Sequence, residues 1–250
     1  MATPDALIDA QTKYWRLRRF GLLDCLSDAD VKELGSLCRV RVLERGAVIY
    51  DAGDDSDVVF LLEHGAVKLS RVSGDGREVN VGVLGPMEMF GERALGDEPV
   101  RVDCAAVLED AVVCGFDQQA FERFLFAHPE LALRITKLVG DRLRRVETRI
   151  QDILFKDVRT RLAHTVARLA NKFGEEASEG LRIGVRLTQG DLAQLIGSTR
   201  ETTSTIFNEF RRDGLLSSDG HYIIVRDLEA LSAYQEGSAP GAGAPLRPRG

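Results

Sequence analysis

The sequence lacks any run of about 18 apolar residues, and its N-terminus lacks the basic-then-apolar pattern of a secretory signal. A bilayer-spanning helix needs about 20 mostly apolar residues. We therefore expect no membrane segment and a cytoplasmic protein. The sequence also has no P-loop, no nucleophile elbow and no HExxH motif, so we do not expect an enzyme.

Cysteine and histidine are scarce, and neither is clustered. The four cysteines are Cys25, Cys38, Cys104 and Cys114, and the four histidines are His64, His128, His164 and His221. Metal and iron–sulfur sites need closely spaced ligands, which this distribution does not supply. We expect no metal, and free thiols in a reducing compartment.

Basic residues are in deficit overall, but the deficit lies in one half of the chain. The 250 residues carry a net charge of −6, with 14 Lys and Arg against 24 Asp and Glu in residues 1–130, and 19 against 15 in residues 131–250. An acidic half joined to a mildly basic half indicates two domains with different partners.

Short strands separated by glycines are expected between Val40 and Phe116. Residues 58–62 form an apolar run, and residues 66–71 and 77–84 alternate apolar and polar side chains on either side of a Gly-Asp-Gly turn. Alternating runs around such a turn predict a β-hairpin, and several short strands at regular spacing predict a β-sandwich or barrel.

The periodicity becomes helical near Asp117, which is placed to cap a short helix. A long helix follows from Pro129 to about Phe155, and residues 157–173 form another amphipathic segment. On the long helix, apolar residues recur at spacings of four and three, which is typical of a coiled-coil seam. The predicted dimer seam is Val139, Leu143, Val146, Ile150 and Ile153, whereas a neighbouring stripe of Leu131, Ile135 and Leu138 is predicted to pack on the β-domain.

Residues 187–216 carry the strongest functional pattern, two short helices joined by a glycine. Thr188 is placed to cap the first helix with Asp191 as its partner, and Gly197 permits the tight turn. Ser198 or Thr199 caps the second helix, for which Thr202, Ile206 and Phe210 are predicted to face inward. This pattern predicts a helix-turn-helix, whose second helix enters the major groove of DNA by its N-terminal turns.

The residues predicted to contact DNA are Thr188, Gln189, Ser198, Thr199, Arg200, Glu201, Thr203 and Ser204. Arginine grips guanine O6 and N7 with two donors, and glutamate accepts from cytosine N4, so Arg200 and Glu201 are the expected base readers. Residues 214–225 read as two strands around Asp219-Gly220, which indicates the wing of a winged helix.

Over roughly residues 20–226, the sequence resembles the CRP/FNR family. The resemblance rests on TRETTS at 199–204, GAVIYDAG at 46–53, Gly65, and Met89-Phe90-Gly91-Glu92 followed by Arg101. It implies an α+β fold with a cyclic-nucleotide-binding β jelly roll, a long dimerisation helix and a C-terminal winged helix-turn-helix. It also implies that the partners are double-stranded DNA, a second copy of the chain and RNA polymerase.

The resemblance further implies a ligand pocket at Gly91, Glu92 and Arg101, which in cAMP-binding relatives hold ribose and phosphate. Arginine offers a fixed fork to a phosphate, and glutamate accepts from a sugar hydroxyl. This sequence departs from the pattern at Val102, Val146 and Glu147, where cAMP binders carry hydroxyls, and at Arg93, where an apolar residue is usual. Three alternatives stay open: no cyclic nucleotide required, cAMP, or another small ligand.

The predicted domains are an N-terminal tail (1–19), a sensor domain (20–128), a dimerisation helix (129–155), a DNA-binding domain (156–236) and a disordered tail (237–250). The expected function is a bacterial DNA-binding regulator, homodimeric on a palindromic site and without strict cAMP dependence. The alternatives are a nucleotide-activated regulator of the same architecture and a cyclic-nucleotide-binding module that regulates a partner enzyme.

Overall fold

The computed structural model describes residues 9–74, 76, 78–96 and 100–234. The chain divides into two compact units, Met1–Thr148 and Arg149–Gly250. The division falls inside the long predicted helix rather than at either of its ends. The tail predicted at 237–250 lies outside the described residues.

The first unit is an antiparallel β-sheet flanked by helices. Its strands are β1 (Cys38–Leu43), β2 (Val48–Tyr50), β3 (Val58–Val72), β4 (Glu78–Leu84), β5 (Glu88–Phe90) and β6 (Cys104–Asp117). Its helices are α1 (Ala10–Leu17), α2 (Asp28–Leu37), α3 (Gln118–Ala127) and the beginning of α4 (Pro129–Phe155), with 3₁₀ turns at Gly21–Leu23 and Glu92–Leu95. The strands are ordered β1-β6-β3-β4, with β2 on β6 and β5 on β3. This sheet confirms the predicted β sensor fold.

One long strand replaces two predicted ones. The segments 58–62 and 66–71 belong to the same strand, β3, which pairs with β6 through register shifts between Leu62 and Val67. Gly65 sits in this irregular stretch with φ +87°, and a Cβ there would lie 2.3 Å from the Asp110 carbonyl oxygen. The glycine therefore permits a bulge within the strand instead of ending it.

The N-terminal segment is part of the sensor core, so the prediction of a tail at 1–19 is wrong from Asp9 onward. Asp9 caps α1, and Tyr14 and Leu17 are buried against α2 and the sheet. Their burial removes apolar surface from water, which a free tail would leave exposed. The predicted stripe on α4 packs on the same core, with Leu131 and Ile135 buried and Leu138 partly buried.

The second unit contains the last turns of α4, four further helices and a small sheet. The helices are α5 (Val158–Phe173), α6 (Gln189–Ile196), α7 (Arg200–Arg212) and α8 (Leu228–Ser232). The strands are β7 (Gly174–Ala177), β8 (Gly180–Ile183), β9 (Leu216–Asp219) and β10 (Tyr222–Val225), ordered β7-β8-β10-β9. The predicted helix-turn-helix and its β9–β10 wing are confirmed.

The loop predicted at 174–180 is instead the first hairpin of this sheet. Gly174 pairs with Ile183 and Ala177 with Gly180, although Glu175 and Glu176 give the segment a polar, loop-like composition. β8 also pairs with β10, which fixes β8 in the sheet, and β8 then satisfies the backbone groups of β7. A short polar segment can form a strand when a neighbouring strand pairs with it in this way.

Candidate DNA interface and sensor pocket

The turn between α6 and α7 is fixed by reciprocal hydrogen bonds and one glycine. The Thr188 hydroxyl accepts from the Asp191 backbone N–H at 3.0 Å, and the Asp191 carboxylate accepts from the Thr188 N–H at 2.9 Å. Aspartate therefore completes the capping box in which glutamate or glutamine is usual. Gly197 ends α6 with φ 64°, in the left-handed region that glycine adopts without a steric penalty.

The start of α7 presents most of the predicted DNA-contacting residues on the surface. Thr199, rather than Ser198, caps the helix, with its hydroxyl accepting from the Thr202 N–H at 3.2 Å. Arg200 and Glu201 are exposed in the first turn. Thr188 and Thr199 are also exposed, whereas Gln189, Ser198 and Ser204 are half-buried.

Thr203 is the one predicted DNA residue that the fold withholds from the surface. Its side chain is fully buried, beside Phe207 and Phe210 on the inner face of α7. Thr202, which was predicted to face inward, is exposed instead. The inner stripe thus begins one residue later than predicted, because Phe207 packs inward more completely than Ile206.

An arginine on α5 holds the turn in place. Arg161 donates to the carbonyl oxygens of Ile196 at 2.9 Å and Gly197 at 3.4 Å, and also to that of Lys156 at 2.8 Å. These carbonyls end α6 and α4, where intrahelical partners run out. The α6–α7 turn is thereby attached to the α4–α5 junction.

A polar cluster occupies the junction of α4 and α5. Asp152 is buried and pairs with Lys156 at 2.6 Å and Arg168 at 3.3 Å. The Lys156 ammonium donates to His164 Nδ1 at 3.0 Å, and His164 Nε2 donates to the Tyr234 carbonyl at 2.9 Å. An ammonium only donates, so this geometry requires a neutral imidazole. Burial, reinforced by the Lys156 charge, lowers the pKa of His164.

In the first unit, Arg101 is buried where the resemblance places a phosphate anchor. Its Nη1 donates to the Gly91 carbonyl at 3.2 Å and its Nη2 to the Val58 carbonyl at 2.5 Å, while the guanidinium stacks 4.4 Å from the Tyr50 ring centroid. The Nε atom of Arg101 is buried without a hydrogen-bond partner among the described residues. Burial, together with the Asp103 charge, raises the pKa of the Tyr50 hydroxyl well above its usual range.

Glu92, the expected ribose partner, pairs with a residue that no sequence motif marks. Arg142 on α4 donates to Glu92 Oε1 at 2.6 Å and to the Met89 carbonyl at 2.8 Å. The internal partner of Glu92 is therefore Arg142 of the long helix. The sequence marks Arg142 only as one of several arginines on this helix. Its partner lies 50 residues away, so no local pattern connects the two.

Gly91, Glu92 and Arg101 form the sensor cradle, and the three positions near it where the resemblance expects hydroxyl donors carry none. Val102 follows Arg101 without a hydroxyl, and Val146 and Glu147 are exposed on α4. Val146 lies one helical turn after Arg142 and thus shares its face. A Cβ on Gly91 would lie 3.0 Å from both Arg101 Nη1 and the Val58 carbonyl oxygen. The Arg101 side chain and the Val58 backbone therefore already occupy the space beside the Gly91 Cα.

The predicted seam residues carry apolar surface that the described chain does not cover. Val139, Leu143, Val146, Ile150 and Ile153 are 41–58% exposed along α4. Single exposed apolar side chains are ordinary, but five at coiled-coil spacing form a stripe suited to a second helix.

Among the described residues, no helix is both long and apolar enough to cross a membrane.

Comparisons with known proteins agree with this architecture. The profile of the cyclic nucleotide-binding domain matches residues 40–128, and that of the Crp-like helix-turn-helix domain matches residues 160–234. A CRP-family transcriptional regulator from Thermus thermophilus has a similar solved structure, with 26% identity and a TM-score of 0.67. This match covers 76% of this chain and 93% of that one.

Two relatives with similar sequences are named as global regulators. The CRP-like cAMP-activated global transcriptional regulator of Mycobacterium tuberculosis is 28% identical over 86% of this chain and 96% of the relative. The global nitrogen regulator of Synechocystis sp. is 30% identical over 77% of this chain and 87% of the relative. With a matching sensor, a matching helix-turn-helix and these relatives, the chain belongs to the CRP/FNR family of DNA-binding transcription regulators.

Proposed function

We propose that this protein binds a palindromic DNA site as a homodimer and that cAMP is not required for binding. The claim that cAMP is not required rests on the Glu92–Arg142 ion pair. The carboxylate expected to accept from a ribose is already held by a residue of the long helix. Arg101, the expected phosphate anchor, likewise donates one hydrogen from each Nη atom to a backbone carbonyl.

The missing hydroxyls support the same conclusion. Each neutral hydrogen bond contributes about 0.5–1.5 kcal/mol, so three lost partners weaken cAMP binding by roughly one to three decades. Glu147 adds a carboxylate, which accepts from the N1–H and N2–H₂ donors of a guanine-type edge better than from adenine. We therefore expect weak cAMP binding or none.

The DNA-facing residues of the proposal are Arg200 and Glu201 for base readout, with Thr188, Gln189, Ser198, Thr199 and Ser204 around them. The exposed seam of α4 supports the dimer, which places two recognition helices on half-sites about 10 bp apart. The family resemblance places Thr205 at a position where a second guanine-reading arginine is common, so we expect relaxed discrimination at one position. RNA polymerase is the proposed protein partner, and the cytoplasm, where bacterial DNA lies, is the proposed location.

A ligand-gated regulator with the same architecture is the second candidate. The observation that favours it is the buried Nε of Arg101, which finds no acceptor among the described residues. A buried donor left unpaired is unfavourable by about 1–3 kcal/mol, and an anion in the cradle would relieve this. Calorimetry with cAMP and with cGMP, paired with DNA binding in the presence of each, separates the two candidates.

A further inference from the structure

An open pocket lies at the C-terminal end of the recognition helix, away from the base-reading residues. It has a volume of about 370 Å³ and is lined by Asn208, Arg211, Arg212, Leu216, Ser217 and Arg226. The first three residues end α7, and the others belong to the wing or follow it. Its polar lining consists of guanidinium, amide and hydroxyl groups, which are the side chains that bind phosphate oxygens.

The positive charge of the pocket comes from Arg211 and Arg212, because Glu179 neutralises Arg226 and the other nearby carboxylates pair with Arg159. Glu209 and Asp213 both pair with Arg159. Glu179 pairs with Arg226 at 2.5 Å, and the Ser217 hydroxyl donates to it at 3.2 Å. The side chains of Arg211 and Arg212 are exposed, and within the described part of the chain they form no ion pair.

The pocket continues the face of α7 that reads DNA. Glu201, Thr205, Asn208 and Arg212 are exposed or half-buried and recur at spacings of four, three and four, which keeps them on one face of a helix. The opposite face is the buried stripe at 203, 207 and 210. Arg212 therefore points in the same direction as Glu201, and Arg211 is turned to one side of it.

The length of α7 determines what this face meets at its far end. Glu201 and Arg212 are separated by about 16 Å along the axis, at 1.5 Å per residue. The major groove is about 12 Å wide, so a helix with its first turn at the base edges reaches the sugar–phosphate backbone with its last turn. The arginine pair lies where a phosphate is expected.

We propose that Asn208, Arg211 and Arg212 form a phosphate-binding site for the DNA backbone at the end of the recognition helix. The inference rests on the proposed mode of DNA binding, with the start of α7 in the major groove. It assigns to this chain a sequence-independent source of affinity.

The test compares the full chain with its Arg211→Gln/Arg212→Gln variant on a duplex selected by the wild-type protein from a random pool. The apparent affinity is measured over a range of salt concentrations. Each lost phosphate contact should make the slope of log K against log salt shallower by about 0.9, which weakens binding about five- to tenfold per contact at 0.1 M salt. Base preferences in a repeated selection should not change.

Two further variants and a modified duplex make the result specific. Arg123→Gln/Lys172→Gln removes two positive charges elsewhere and should leave the slope near the wild-type value. Arg211→Lys/Arg212→Lys keeps the charge and should restore most of the slope. Neutral methylphosphonates placed one at a time should reveal a backbone position that weakens wild-type binding but not binding by the glutamine variant.

An unchanged slope in the glutamine variant, or a methylphosphonate profile identical to that of the wild type, overturns the proposal. The Arg211→Gln/Arg212→Gln variant could bind DNA like the wild type yet support less transcription with purified RNA polymerase. In that case the pocket binds an acidic protein surface, and the DNA assignment is wrong. Failure of the wild-type chain to select any duplex would contradict the proposed function itself, which is a different outcome.

Discussion

The Arg142 guanidinium lies 2.6 Å from the Glu92 carboxylate, so a residue of the long helix neutralises the acid of the sensor cradle. About a quarter of the Arg142 side chain and a fifth of the Glu92 side chain remain exposed. The pair is therefore screened less than a surface pair, and Arg142 also holds the Met89 carbonyl. This relationship ties α4 to the cradle within the first unit without any ligand.

Replacing Arg142 with methionine should destabilise the sensor unit. The substitution leaves Glu92 half-buried without its partner, which is unfavourable by about 1–3 kcal/mol. Urea unfolding measures the change. The control is Arg144→Met, which removes a more exposed arginine of the same helix from its pair with Asp141 and should alter stability by less than about 0.5 kcal/mol. Equal losses in the two variants would count against the special role of Arg142.

Leu143→Asp and Ile150→Asp should each convert a dimer to a monomer. Both residues are more than half exposed in the single chain, and each change would bury an unpaired charge at the proposed seam. Sedimentation velocity measures the mass, and DNA affinity should fall in parallel. Thr148→Asp, on the opposite side of α4, is the matched control and should remain dimeric. A dimer that survives both seam substitutions shows that the helices associate elsewhere or not at all.

Arg200→Ala should weaken specific DNA binding by about 1–3 kcal/mol and relax one guanine preference. The exposed guanidinium sits in the first turn of α7, where two donors reach one guanine. Gln189→Ala is the comparison: we propose that Gln189 contacts a phosphate, and losing such a contact should weaken binding to all sequences alike. Selection from a random pool reads out the preference. Retention of the full guanine preference by Arg200→Ala would remove this residue from base readout.

The second unit should lose stability as the pH falls below about 7. Burial and the Lys156 charge lower the pKa of His164 in the folded state, so the unfolded chain binds the proton more tightly. The stabilisation is complete above the unfolded pKa of about 6.5 and is lost as the pH falls through the folded value. His164→Gln, which still donates to Tyr234, should flatten this dependence in thermal unfolding between pH 7 and 5.

His128 in the first unit has the opposite sign and serves as an internal control. Burial works to lower its pKa, but hydrogen bonding to the Phe124 carbonyl and to Asp30 outweighs burial, and the pKa is raised. Its stabilisation is complete at low pH and fades as the pH rises through the folded pKa. His128→Gln should therefore leave unchanged the loss of stability that the second unit shows as the pH falls below about 7. An unchanged acid-side slope in His164→Gln would exclude His164 as its source.

Local sequence predicted the parts of the site whose signals are local. The capping box of Thr188 and Asp191, the turn at Gly197 and the exposed pair Arg200 and Glu201 depend on neighbours a few residues away. The apolar spacing of α4 likewise separated the core stripe from the exposed seam. The spacing of Tyr14 and Leu17, one turn apart, could have extended the sensor core into the first 19 residues.

The remaining features depend on partners distant in the chain. The Arg142–Glu92 pair joins residues 50 positions apart, and the strand β7 forms from glutamates only because β8 is beside it. The sequence predicts an inward face through Thr202 and Ile206, which leaves Thr203 outside, whereas the buried face of α7 runs through Thr203 and Phe207. In each case tertiary packing, which one sequence does not display, decides between alternatives that are locally equivalent.

The most direct test of the central claim is DNA binding by the ligand-free protein. Fluorescence anisotropy on a selected duplex should give the same Kd, within about threefold, without nucleotide, with cAMP and with cGMP, which corresponds to a coupling below about 0.7 kcal/mol. The protein should first be unfolded and refolded to remove bound nucleotide. DNA binding that appears only with micromolar cAMP would contradict the account, and would show that the Glu92–Arg142 pair opens to admit the ligand.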